Sequence, residues 1–252
     1  MSVDLSVVIP AKNEEENVKP LVMEIVSALG NSCTYEIVYV DDGSDDGTYA
    51  ALRALADGDV PQLLPVQHQA SVGQSTAILT GVKQATGRLI VTMDADGQND
   101  PADIPAMLAA ADKLSNPHFC IAGYRKQRKD TAWKRFQSKI ANGIRRRLLK
   151  DDTPDTGCGL KVIPRQTYLS LPYFDHMHRF LPALIRRCGG EIVVVEVNHR
   201  AREHGVSKYT MWSRLWVGIV DMLGVMWLSR RARLPVIVQT DKQDVPVTAS
   251  QQ

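Results

Sequence analysis

Arg88-Leu89-Ile90-Val91-Thr92-Met93-Asp94-Ala95-Asp96-Gly97-Gln98 carries an apolar, β-branched run straight into two acids and an amide. The run has the length and composition of a buried strand, so the acids fall just past its C-terminal end. In an extended chain alternate residues share a side, which turns Asp94, Asp96 and Gln98 the same way. Three oxygen-bearing side chains so placed suit a hard divalent cation, Mg2+ or Mn2+, with diphosphate oxygens completing the shell. Taken alone, carboxylates just past a strand are more often turn residues and helix caps than ligands, so the rest of the chain has to decide.

Two further stretches share this build. Leu5-Ser6-Val7-Val8-Ile9-Pro10-Ala11-Lys12-Asn13-Glu14-Glu15 is a β-branched run that opens into a polar loop, and Tyr35-Glu36-Ile37-Val38-Tyr39-Val40 ends in Asp41-Asp42-Gly43-Ser44-Asp45-Asp46-Gly47-Thr48. Both acidic loops lie at strand C-termini, where open α/β sheets place their ligands. Helical stretches over Glu15 to Leu29, Thr48 to Ala56 and Ser75 to Ala85 alternate with the strands. That rhythm predicts an α/β fold, a mostly parallel sheet with helices on both faces.

V-V-I-P-A-x-N-E, D-D-G-S-x-D-G-T and D-A-D-x-Q, in that order, resemble the inverting family 2 glycosyltransferases. Gly123-Tyr124-Arg125, Asp155-Thr156-Gly157-Cys158, His178-Arg179-Phe180-Leu181-Pro182 and Arg202-Glu203-His204-Gly205-Val206-Ser207-Lys208-Tyr209 narrow the likeness to the polyprenyl-phosphate, dolichol-phosphate mannosyltransferase-like branch. The resemblance spans about residues 3 to 230. It implies a nucleotide-sugar-binding domain of the GT-A type and a Mg2+ or Mn2+ cofactor. It also implies a nucleotide-sugar donor and a polyprenyl-phosphate acceptor, with transfer serving cell-envelope glycan or glycolipid synthesis.

Carried over position by position, the resemblance assigns Pro10, Ala11, Glu14, Asp41 and Asp42 to the nucleoside, and Gly73 to a turn near the donor. Asp94 then lies by the ribose and the cation, Asp96 is the first-choice metal ligand and Gln98 completes the set. Arg125 and Arg135 match the arginines that grip acceptor phosphate, and Arg202, Ser207 and Lys208 the loop that closes on the donor diphosphate. Asp155 orients one of these arginines or the sugar, or else caps a loop beside Gly157. The turn before Thr76 also reads as a helix N-terminus capped by Ser71 or Ser75, with Gly81 and Gly87 marking close packing and a C-cap. Lys12 departs from the Tyr common in the family at its position, and Gly97 from the common Leu.

Bulk properties agree. The 252 residues suffice for one large core or a core plus an appendage, and a net charge of +2 gives no nucleic-acid signal. Charge is unevenly placed, acidic in the loops after the first two strands and strongly basic from Arg125 to Lys150. A cation-mediated nucleotide site beside a positive surface produces that split, as does a solvated helix face. Cys33, Cys120, Cys158 and Cys188 lie far apart without C-x-x-C pairing, and no signal peptide precedes Val3. They read as reduced, the protein as cytoplasmic. His176, His178, His199 and His204 lack the helical two-ligand spacing of a zinc site.

No run of about 18 uninterrupted apolar residues exists, so no spanning helix is expected. Trp212 to Arg233 instead holds an apolar stretch interrupted by Asp221, with Trp212, Trp216 and Trp227 and a trailing Arg cluster. That suits an amphipathic helix lying on the membrane's cytoplasmic face, or one that packs on the core or cements a homo-oligomer. The expected organisation is a transferase domain over 1–210, the helix and basic segment over 211–235, and a disordered tail over 236–252. Two other functional readings stay open. One is a family 2 transferase with a saccharide acceptor, although its usual E-D and Q-x-x-R-W elements are missing. The other is a non-catalytic nucleotide-binding protein at the membrane, against which intact Asp94, Asp96, Gln98 and Arg202 argue.

Overall fold

The computed structural model describes residues 3–30, 32–125, 143, 145, 147–149, 153–201 and 211–233. Arg135, Arg202, Ser207, Lys208 and the 236–252 tail lie outside them. The strands are β1 (Leu5–Ala11), β2 (Tyr35–Asp41), β3 (Leu63–Gln67), β4 (Leu89–Thr92), β5 (Phe119–Tyr124), β6 (Lys161–Pro164) and β7 (Glu191–Glu196). Among the described residues they form one sheet in the order β3-β2-β1-β4-β6-β5-β7. β1 pairs in parallel with β2 and β4, β2 with β3, and β5 with β7; β6 alone runs antiparallel, wedged between β4 and β5.

The sequence's alternation divides the core into two layers. Leu5, Val7, Ile9, Ile37, Tyr39, Leu89 and Val91 face helices α1 (Glu15–Leu29), α2 (Thr48–Asp57) and α4 (Ile104–Ala111). Val8, Val38, Val40 and Ile90 face α3 (Gln74–Gln84), α5 (Arg165–Ser170) and α6 (Leu181–Arg187). Burying such a side chain stabilises by about 1.5–3 kcal/mol over leaving it exposed, which is why the central strands are apolar on both sides. The expected mixed α/β architecture with a mostly parallel sheet is therefore the one observed, and the three helices foreseen lie within a residue of their expected bounds at both ends.

Two expectations about caps are corrected. The N-cap of α3 is Gly73, with no side-chain cap, because Ser71 Oγ donates to Asp42 and Ser75 Oγ bonds His178 Nδ1 at 2.7 Å. Gly87 is not a C-cap; α3 ends earlier, on extended Ala85. A Cβ at Gly87 would meet the Leu5 backbone at 2.7 Å, and its N–H donates to buried Ser6 Oγ at 2.9 Å. Close packing explains both later glycines.

The C-terminal helix α7 (Met211–Arg231) is apolar on two sides. Met222, Val225 and Met226 pack on the second layer, while Val217, Val220, Leu223 and Trp227 stand exposed. Asp221, the charge that interrupts the stretch, faces His176 at 3.3 Å. No helix among the described residues is long and apolar enough to cross a membrane.

A Cβ at Gly81 would lie 2.5 Å from Val8 Cγ1 and 3.2 Å from Val40 Cγ2. Gly81→Ala is therefore expected to lift α3 off the sheet and cost about 1–3 kcal/mol by overpacking, read as a lower urea midpoint at unchanged slope.

Candidate active site

β1 connects through α1 to β2 on one side, whereas β3 returns through α3 to β4 on the other. The order therefore reverses between β1 and β4, and a crevice opens at their C-terminal ends. Parallel register brings Ala11 opposite Asp41, and Val8 opposite Thr92 two residues before Asp94. Pro10 and Ala11 are buried strand residues, so they offer the crevice backbone rather than side chain. The first two loops are laced together: Asn13 N–H donates to Ser44 Oγ at 2.8 Å, Asp45 N–H to Asn13 Oδ1 at 2.9 Å and Glu14 N–H to Thr48 Oγ1 at 2.9 Å. Asn13 holds a left-handed φ of 57° to do so, a conformation that Asn tolerates better than most residues.

Beside these loops lies a polar cleft of about 370 Å³, lined by Lys12, Ser44, Asp45, Gln67, His68 and Gln69 among others. Asp41 stands under it, fully buried, accepting from Ser44 N–H at 3.1 Å and Gln67 Nε2 at 3.1 Å. Asp42 is held by four donors. Its Oδ1 takes His68 Nδ1 at 2.8 Å and Val72 N–H at 3.0 Å, and its Oδ2 takes Ser71 Oγ at 2.7 Å and Gly73 N–H at 2.9 Å. Burial pushes this carboxyl up, but the four donors outweigh it and hold Asp42 below the usual carboxylate range. Asp42 thus pins the turn that starts α3, and Gly73, at φ 95°, makes the bend.

Gln74, the first residue of α3, donates from Nε2 to Asp94 Oδ1 at 2.8 Å. Burial, then the charge of Asp96, raises Asp94 to about 6, partly offset by Lys161 and Arg125. A carboxyl group whose charge is disfavoured by a neighbouring carboxylate belongs to a donor set whose repulsion a divalent cation relieves. Asp96 Oδ1 accepts Gln98 N–H at 3.1 Å, and Gly97 between them sits at φ 71°. A β-carbon is strained there, so Gly where the family commonly has Leu is a backbone choice. Gln98 is tied to the segment after β7: Arg200 N–H donates to its carbonyl at 3.0 Å, and its Nε2 reaches Arg200 O at 3.4 Å. Among the described residues no three His, Cys, Asp or Glu side chains converge on one point. Asp94, Asp96 and the Gln98 amide offer the oxygen donors that Mg2+ or Mn2+ prefers, a set that would leave coordination positions open rather than form a closed protein cage.

Arg125 follows β5, which runs the same way as β4, so it emerges at the same edge. Asp155 receives it as a fork, from Nε to Oδ2 at 2.6 Å and from Nη2 to Oδ1 at 2.9 Å, with both side chains largely buried. Of the partners open to Asp155, the structure shows Arg125. Arg145 bonds Thr156 Oγ1 and the Thr153 carbonyl, fixing the same loop. Two residues escaped the sequence reading. Lys161 is 3 % exposed, donates Nζ to the Cys158 carbonyl and lies close enough to act on Asp94; its signal was a cation within the apolar run Leu160 to Ile163. Gly159 packs directly on the Asp94 carboxyl group, for which no sequence signal existed. The four cysteines are unpaired.

The Glycosyl transferase family 2 model matches residues 6–169. The dodecaprenyl-phosphate galacturonate synthase of Rhizobium johnstonii is 37% identical over 238 residues, covering 93% of this chain and 70% of the relative. Undecaprenyl-phosphate 4-deoxy-4-formamido-L-arabinose transferases of Edwardsiella ictaluri and Pseudomonas aeruginosa are 30% and 34% identical over 88% and 82% of the chain; the chain spans 66% and 60% of their lengths. A Pyrobaculum calidifontis mannosyltransferase solved with GDP-Man and Mn2+ superposes with a TM-score of 0.64 at 21% identity, over 93% of this chain and 66% of that one. Glucosyl-3-phosphoglycerate synthase of Mycobacterium tuberculosis, solved with Mn2+ and UDP-glucose, gives 0.62 at 16% identity, over 93% and 82%.

Two substitutions separate the roles. Asp96→Ala is expected to abolish metal-dependent nucleotide binding in a calorimetric titration while thermal unfolding stays near wild type. Asp42→Ala orphans four donors and is expected to cost about 2–3 kcal/mol. Because the folded pKa of Asp42 is depressed, its contribution is complete above the unfolded carboxylate range near pH 4 and vanishes as pH falls below it, so the two stability curves should converge in acid.

Proposed function

The chain belongs to glycosyltransferase family 2, and from that premise we propose that it is an inverting transferase that moves a sugar from a nucleotide-diphosphate donor to the phosphate of a polyprenol. The observation that carries this reading is the buried Arg125 fork on Asp155, at the same sheet edge as Asp94. A saccharide hydroxyl needs a carboxylate base to lose its proton, and both oxygens of the acid beside Arg125 are taken by the guanidinium. A phosphate acceptor is already ionised at pH 7 and suits a planar, bidentate cation. The relatives' names, which join polyprenyl phosphates to sugars, support the same acceptor class.

The crevice between β1 and β4 holds the donor, with Glu14, Asp41 and the Pro10–Ala11 backbone toward the nucleoside and the Asp42-pinned Gly73 turn shaping its wall. A divalent cation, when bound at Asp94, Asp96 and Gln98, neutralises the charge of the leaving diphosphate. Arg125 orients the acceptor; the family resemblance adds Arg135 to that task and gives Arg202, Ser207 and Lys208 the donor diphosphate. An acceptor phosphate oxygen attacks the anomeric carbon opposite the leaving group. The new carbon–oxygen bond forms as the bond to the diphosphate oxygen breaks, the electron pair departs with the nucleoside diphosphate, and configuration inverts. No proton has to move, so catalysis rests on position and charge.

The exposed arc of α7 supports a peripheral place on the membrane. Val217, Val220, Leu223 and Trp227 lie along one side of the helix, and Arg231 stacks 6.0 Å from the Trp227 ring. With Arg230 and Arg233 beside it, this arc suits the boundary between acyl chains and anionic headgroups, where the acceptor's phosphate lies.

Transfer of label from UDP- and GDP-sugars into undecaprenyl or dodecaprenyl phosphate, with Mn2+ or Mg2+, tests the reaction; label that never becomes organic-soluble while nucleotide binds removes it. Arg125→Lys keeps the charge and loses the fork, so KM for the lipid phosphate is expected to rise about tenfold, or ~1.4 kcal/mol, with nucleotide affinity unchanged. Trp227→Glu is expected to release the protein from anionic vesicles in a flotation assay and leave nucleotide binding intact.

A further inference from the structure

We infer that Gly157-Cys158-Gly159 is a positioning element, which sets the place of the donor's acid and of the acceptor's arginine by leaving room for each. The inference deepens the proposed function and rests on it for the meaning of the arginine. A Cβ at Gly159 would meet all three atoms of the Asp94 carboxyl group, the farthest at 2.7 Å. A Cβ at Gly157 would lie 3.2 Å from Arg125 Nη2 and 3.5 Å from Asp155 Oδ1. The two glycines stand two residues apart on one segment, one against each substrate's group. Neither has a φ in the left-handed region, so space and not backbone conformation demands glycine.

The segment itself is pinned by hydrogen bonds. Thr92 Oγ1 donates to the Gly159 carbonyl at 2.7 Å, Gly123 N–H donates to the Leu160 carbonyl at 3.0 Å, and Lys161 Nζ holds the Cys158 carbonyl. Buried Cys158 packs its sulfur against Gly123, where a Cβ would lie 2.9 Å from it. An added methyl must therefore displace the side chain opposite it. The Asp94 carboxyl group, which accepts from Gln74 Nε2 at 2.8 Å, is the side chain that has to move. The two glycines thus leave Asp94 and Arg125 the places they occupy on either side of one stretch, and so set how far apart donor and acceptor charges meet.

Gly159→Ala and Gly157→Ala in the full chain test this, by calorimetric titration with Mn2+ and whichever of UDP or GDP the wild type binds, by KM for undecaprenyl phosphate, and by thermal unfolding. Gly159→Ala is expected to weaken Mn2+-dependent nucleotide binding at least about tenfold and leave the lipid KM within about twofold; Gly157→Ala is expected to raise the lipid KM about fivefold and spare nucleotide binding. Parallel loss of both quantities in both variants, tracking a lowered melting temperature, would mean the glycines serve packing alone and overturn the inference. So would wild-type values in both. A wild type that binds nucleotide but transfers to no polyprenyl phosphate removes the acceptor reading only, and the nucleotide titration of Gly159→Ala still decides whether the segment places Asp94.

Discussion

Parallel pairing of β1 with both β2 and β4 is the constraint on which the rest of the molecule depends. It forces three strand ends, and so three acidic loops, to emerge at one edge. Strands buried on both faces must be apolar throughout, which leaves polar chemistry only for the residues just past their ends. The reversal of chain order between β1 and β4 then opens the crevice where those residues face one another. Carboxylates gathered in this way are costly unless each is hydrogen-bonded or shared with a cation, and the structure uses both remedies. Asp42 and Asp41 are satisfied by donors, whereas Asp94 and Asp96 keep a repulsion that suits a metal ion.

β6 is the second organising choice. By running antiparallel between β4 and β5 it brings the Asp155–Lys161 segment across the crevice, between the acid pair and Arg125. Every second residue there has a task at the site: Asp155 takes the Arg125 fork, Gly157 and Gly159 leave room, and Lys161 braces the turn from below. The buried pair of Arg125 and Asp155 need not add stability, since desolvation offsets much of the attraction, but it fixes the direction of a guanidinium.

Much of the fold was legible because its signals are local. Two β-branched runs ending in acids, helical stretches between them and a D-x-D past the next strand are features of neighbouring residues, and periodicity reports them directly. The D-x-D, Arg125 and Asp155 stand out in the sequence as well, since their residue types announce charge chemistry, and the structure pairs the last two. Misreadings arose where a side chain had several partners to choose from. Ser71 and Ser75 have the composition of helix caps, yet each is claimed by a residue distant in sequence, Asp42 and His178.

The sequence by itself determined the α/β class, the family resemblance and the acidic character of the crevice, because strand pattern and residue chemistry are written one position at a time. Only the tertiary structure decided that Asp42 is bonded to the turn before α3, that Lys161 lies within electrostatic reach of Asp94, and that Gly159 packs on the Asp94 carboxyl group. The physical reason is that a missing side chain, or a filled lone pair, has no meaning until the residue opposite it is known, and that residue lies as far as 103 positions away.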